Sequence, residues 1–84
     1  MERRIGFVGI LVESRKKTAA MINQILSDFA EIIVARVGVP YKERNVSVIT
    51  LIVDATSDEI GALTGKLGSL DGVSVKSAFA KNGG

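Results

Sequence analysis

The feature that most constrains this chain is the run Val46-Ser47-Val48-Ile49-Thr50-Leu51-Ile52-Val53, β-branched or aliphatic at nearly every position. A strand with one wet face alternates apolar and polar residues. This one does not, so both of its faces call for cover. Asp54 ends the run, and Thr56-Ser57-Asp58-Glu59 then spells a capping box, in which hydroxyl and carboxylate each satisfy the other residue's backbone N–H. Ile60, Leu63, Thr64 and Leu67 follow at the spacing of one helix face, and Gly68 is placed to close that helix in a left-handed conformation. Asp71-Gly72 predicts a turn, and residues 73–80 alternate well enough for a further strand. The result is a strand–helix–strand unit, which crosses over right-handed onto one face of its sheet.

The first half repeats the plan. Residues 5–12 predict a strand with Ile5, Phe7 and Leu11 on one side and Val8, Ile10 and Val12 on the other. A polar junction at residues 13–18 offers Ser14 as helix N-cap, and Ala19, Ile22, Ile25, Leu26 and Phe29 mark the buried stripe of the helix that follows. Residues 32–39 predict a second strand, which Pro40 is expected to stop because it has no N–H to donate. Gly83-Gly84 is expected to fray. Two strand–helix–strand halves give the order βαββαβ in a single domain spanning the 84 residues. The commonest compact solution is an α+β, ferredoxin-like sandwich: a four-stranded antiparallel sheet, strands one and three central, with both helices on one face.

That architecture has a consequence. Helices on one face leave the other side of the two central strands bare. About six large aliphatic side chains would stand there, each worth roughly 1.5–3 kcal/mol when buried. A patch of that size on a lone monomer predicts a covering partner, most simply a second copy, giving a dimer or tetramer; loops or a neighbouring domain are the other possibility. The alternation alone does not say which side faces out, so Phe7, Val8 and Ile10 are all interface candidates. Tyr41 and Arg44, in the loop Pro40-Tyr41-Lys42-Glu43-Arg44, join them because a tyrosine among alternating charges can anchor an interface.

Composition excludes most chemistry. The chain has no histidine and no cysteine, which removes the commonest general base, the commonest transition-metal ligands and the thiolate nucleophile together. No catalytic residue, no cofactor and no metal site are expected. Asp54, Asp58 and Glu59 could ligate a hard cation, but Asp58 and Glu59 fall in the first turn of a helix, where capping explains them. Gly61, Gly65 and Gly68 have no glycine-rich turn before them, so they are expected to permit close packing against the sheet or a partner. An acylphosphatase-like hydrolase would want an arginine after strand one and an amide near strand three; Arg15 and Asn45 match by type, but no phosphate loop surrounds Arg15. Eleven basic against nine acidic residues, a net charge of +2, leave no nucleic-acid footprint, and an RNA-binding sheet would need more aromatics than Phe7 on its central strands. No signal peptide and no membrane span are legible, so a cytoplasmic location is expected.

One charge cluster is out of place. Arg15, Lys16 and Lys17 sit where a helix is starting, against its dipole. A bound anion or carboxylate would offset that arrangement. Glu13, Ser14, Arg15 and Lys16 are therefore the candidate ligand-binding residues, for a small anionic or amino-acid-like molecule.

The stretches Val39-Pro40-Tyr41-Lys42-Glu43-Arg44, Val46-Ser47-Val48-Ile49, Thr56-Ser57-Asp58-Glu59-Ile60-Gly61-Ala62-Leu63-Thr64-Gly65-Lys66-Leu67-Gly68 and Gly72-Val73-Ser74-Val75-Lys76-Ser77 resemble the small ACT-like proteins named as regulators of an iron-only hydrogenase system. That family is similar in fold to the C-terminal domain of the nickel-responsive repressor, which implies a ferredoxin-like sheet that oligomerises, and a regulatory role without catalysis. Unlike that repressor, this chain has no histidine or cysteine for the nickel site, and no N-terminal DNA-binding segment is expected of it. Direct nucleic-acid binding is thus not expected of this domain alone.

Overall fold

A computed structural model describes residues 2–13 and 16–81. Strand β1 (Arg4–Glu13) leads to helix α1 (Lys16–Asp28), and a 3-10 turn at Ala30–Ile32 leads into β2 (Ile33–Tyr41). A second 3-10 turn, Lys42–Arg44, joins β2 to β3 (Val46–Ala55), followed by helix α2 (Ser57–Gly68) and β4 (Val73–Phe79). The strands form one antiparallel sheet in the order β2-β3-β1-β4, with β1 and β3 central as the apolar runs require. This is the βαββαβ ferredoxin-like, ACT-like arrangement.

The pleat sorts the two apolar sides. Val8, Ile10 and Val12 of β1 and Leu51, Val53 and Ala55 of β3 turn under the helices, where Ile22 and Leu26 of α1 and Leu63 and Leu67 of α2 bury them. Val8 and Ile10 have no exposed surface, which removes both from the candidate interface. The bare side belongs instead to Phe7 and Leu11, about half exposed, with Ile52 and Val48 beside them.

Helix α2 is built as its sequence indicates. The Thr56 backbone N–H donates to Glu59 Oε1 at 2.9 Å, and the Glu59 N–H donates to Thr56 Oγ1 at 3.2 Å, closing the capping box. Arg3 adds its guanidinium, 3.6 Å from the Asp54 carboxylate and 3.5 Å from that of Glu59, and also donates to the Asp54 carbonyl. The start of β1, the end of β3 and the first turn of α2 are thereby tied together.

Four local expectations change. Gly68 is an ordinary last helical residue, followed by Ser69 in a right-handed conformation; the left-handed residue is Gly72, φ +76°, because the chain reverses there and not at the helix end. Thr18 and not Ala19 joins Ile22 and Leu26 on the buried side of α1, since the helix is rotated so that Ala19 faces a cleft. Gly61, Gly65 and Gly68 are exposed, and a Cβ on any of them would meet nothing within 4 Å, so they serve no close packing in the chain.

The fourth change concerns Pro40, which lies inside β2, opposite Ser47. The Glu13 N–H donates to Gly72 O and the Ala80 N–H to Ile5 O, both at 2.9 Å, so odd-numbered residues of β1 direct their backbone groups to β4 and even-numbered ones to β3. Carried across the register, this points Val37, Val39 and Tyr41 at β3 and the nitrogen of Pro40 at the free edge. Proline is tolerated there because no ladder bond is lost.

Candidate functional site

Between the first two turns of α1 and the ends of β1 and β3 the chain leaves a cleft of about 340 Å³, lined by Val12, Glu13, Lys16, Ala19, Ile22, Asn23, Ser47 and Ile49. Its existence follows from the sheet order. Helix α1 packs on the core side of the sheet but covers the outer strand β2 only loosely, and β2 is exposed from Val34 onward. Val12, Ile22 and Ile49 form apolar walls, and Lys16, Glu13, Asn23 and Ser47 supply the polar groups. Asn23 Oδ1 accepts from Arg36 Nη2 at 3.5 Å and also borders a second hollow of about 280 Å³, between α1 and Ile33 and Arg36 of β2.

The residues proposed from sequence divide as follows. Glu13 ends β1 and Lys16 opens α1, and both line the cleft. Ser14 and Arg15 lie outside the described residues. The Glu13 carboxylate lies over Gly72, where a Cβ would come within 2.9 Å of its Oε2; with the positive φ, this gives two reasons for glycine at that turn. The first turn of α1 itself contains no acidic residue beside Lys16 and Lys17. Sequence reasoning missed Asn23 and Ser47. Their convergence depends on the pairing of Val12 with Ser47 and on the rotation of α1, neither of which leaves a mark in the sequence.

The interface candidates also divide. Phe7 and Tyr41 share the open face of the sheet, whereas Val8 and Ile10 are core. The Tyr41 hydroxyl donates to Glu43 Oε2 at 3.3 Å, and Arg44 is exposed in the 3-10 turn that follows β2. Asn45, considered above as a hydrolase residue, closes that turn in a left-handed conformation, φ 53°. Among the described residues, no group of three aspartate, glutamate, histidine or cysteine side chains could hold a metal ion, and no helix is long and apolar enough to cross a membrane. Accepting the Thr56 backbone N–H holds the Glu59 carboxyl below its ordinary value, with Arg3 contributing in the same direction. That effect belongs to the capping box and not to the cleft.

A family model described as "TM1266-like: Iron-only hydrogenase system regulator, putative" matches residues 4–77. The chain belongs to this family. Among solved structures, the uncharacterized protein TM1266 from Thermotoga maritima is similar over 95% of this chain and 100% of its own, at 42% identity and a TM-score of 0.93. The ACT domain of GTP pyrophosphokinase from Chlorobium tepidum is similar at 19% identity, covering 98% of this chain and 91% of that domain, with a TM-score of 0.70. The C-terminal domain of the MgtC protein from Mycobacterium tuberculosis is similar at 12% identity, covering 96% and 92%, with a TM-score of 0.71. The latter two likenesses bear on fold alone. No curated protein matches the sequence.

Proposed function

We propose that this member of the hydrogenase-regulator family is a non-catalytic regulatory module that works in the cytoplasm as a homo-oligomer and senses a small anionic or amino-acid-like ligand. The observation that carries the proposal is the cleft at the start of α1: it combines apolar walls, the Lys16 and Glu13 charges and the polar Asn23 and Ser47 side chains in a space of about 340 Å³. Lys16 takes the carboxylate or other anionic group, and Val12, Ile22 and Ile49 take an aliphatic part. The regulated system is an iron-only hydrogenase system, a reading supported by the family description. A balanced surface charge supports a protein or small-molecule partner over a nucleic acid or a membrane.

A thermal-shift screen with inorganic phosphate and a panel of free amino acids tests the proposal. A binding compound raises the melting temperature in proportion to occupancy. The double change Arg15→Ser, Lys16→Ser should abolish that shift while leaving the ligand-free protein equally or slightly more stable, since a basic residue such as Lys16 in a first turn costs up to about 0.3–1 kcal/mol. A shift that the double variant keeps in full would place the site elsewhere, first of all at Tyr41 and Arg44.

A second reading, a structural interaction module that scaffolds an assembly, is favoured by the uncovered apolar face of the sheet. It predicts an intact oligomer and no shift from any small ligand.

A further inference from the structure

The open face of the sheet has a relief, and the relief is self-complementary. The register sets Ala35, Ile52, Phe7 and Ala78 side by side in one row across β2, β3, β1 and β4, and Val37, Thr50, Gly9 and Lys76 in the next. Along every strand a smaller residue in one row stands two positions from a larger one in the other: Ala35 and Val37, Thr50 and Ile52, Gly9 and Phe7, Ala78 and Lys76. Phe7 projects half exposed beside a floor where a Cβ on Gly9 would meet only the Lys76 carbonyl, at 3.8 Å.

We infer that two copies of this chain pack face to face about a two-fold axis lying in the plane of this face, across the strands, between the two rows. Such an axis lays each strand over its own copy and exchanges the rows. Phe7 then sits over the partner's Gly9, Ile52 over the partner's Thr50, and Leu11 meets the partner's Ile5. An isologous contact requires this reciprocity, in which the pocket and the side chain that fills it lie on the same surface. The twist of each sheet turns facing strands by about 30°. The fit is therefore tightest at the central strands, where Phe7, Gly9, Ile52 and Thr50 lie.

Size and charge agree with a second copy as the occupant. Strands about 4.8 Å apart and about nine residues long at ~3.4 Å each give a face of roughly 19 by 30 Å, or about 600 Å² in projection. A corrugated face has more accessible surface than its projection, which approaches the ~800 Å² per partner of a stable interface. Lys76 is the one charged residue in these two rows, so the middle of the face offers nothing to a strongly charged partner; Glu13 and Asp54 share the face only at its ends. It lies on the edge strand β4, where its stem can cover the partner's Ala78 while the ammonium stays in water.

The inference rests on the homo-oligomer reading above and adds a geometry to it, so the experiment must separate the two. Sedimentation equilibrium should be run on the wild type, Gly9→Phe, Phe7→Ala and the double variant Phe7→Ala, Gly9→Phe, with circular dichroism as the check on folding. The expected result is a wild-type dimer whose dissociation constant rises about 30-fold or more in either single variant, the size of a central interface residue at tenfold per 1.4 kcal/mol. The double variant should recover affinity that Gly9→Phe alone loses, because it moves the ring and the floor to each other's places under the same axis. Should Gly9→Phe fail to fold, Phe7→Ala decides by the same criterion. A monomeric wild type at the highest soluble concentration overturns the homo-oligomer reading and this geometry together. An oligomer that every folded variant retains unchanged overturns the geometry alone and moves the contact to another surface, such as the free edge of β2.

Discussion

Glu59 shows how much one side chain can be asked to do without being part of a site. It caps α2, accepts from the Thr56 backbone and pairs with Arg3, and its carboxyl is held below the ordinary value by those contacts, the backbone hydrogen bond first. A carboxyl depressed in the folded state contributes stability that is fully present above its unfolded value, 4.5, and is lost as pH falls through the folded one. Chemical denaturation repeated at falling pH should therefore show a loss of stability beginning near pH 4.5, and Glu59→Gln should flatten that part of the profile. Thr56→Ala, which removes the other half of the box, should cost about 1 kcal/mol at neutral pH. A Thr56→Ala variant as stable as the wild type in urea would mean that the box is formed but redundant beside Arg3.

Among the elements, α2 is the one whose composition its local fold does not explain. Gly61 and Gly65 weaken it, glycine costing about 1 kcal/mol relative to alanine in a helix interior, yet both face solvent with room for a side chain, as does Gly68 at its end. Gly61→Ala and Gly65→Ala should each raise stability by about 0.5–1 kcal/mol in urea denaturation. If instead either change lowers the melting temperature or shifts the oligomeric state, a neighbouring molecule packs on that helix face in solution. The contrast is Gly6, whose Cβ would fall 2.2 Å from the ring of Phe79, so glycine there serves a close approach within the chain.

For the whole molecule, the donor set limits what can be bound. With neither histidine nor cysteine, the protein should retain no zinc, nickel or iron through dialysis, and elemental analysis of untagged protein checks this directly. One metal per subunit would instead direct attention to the carboxylates of Asp54, Asp58 and Glu59. A regulator of an iron–enzyme system that holds no tight metal would act through a ligand or a protein contact.

The element order, the central position of β1 and β3, and the capping box of α2 were all legible in the sequence. These follow from local patterns: a run apolar on both faces, a helical period, a hydroxyl three residues before a carboxylate. It also implied that one sheet face would be left uncovered, though not which one, because Ile5, Phe7 and Leu11 are as apolar as Val8, Ile10 and Val12 and transfer free energy does not tell them apart. Only the tertiary structure decided that, since the choice depends on which way the pleat points when the chain leaves Glu13 for α1 and closes its helices over the sheet. Lys16 was legible as part of a misplaced basic cluster with Arg15 and Lys17, and Glu13 as a candidate beside it, while Asn23 and Ser47 became their neighbours through strand register and helix rotation. The tolerance of Pro40 in β2 has the same origin: whether a backbone nitrogen faces a neighbouring strand or an open edge is a property of the assembled sheet.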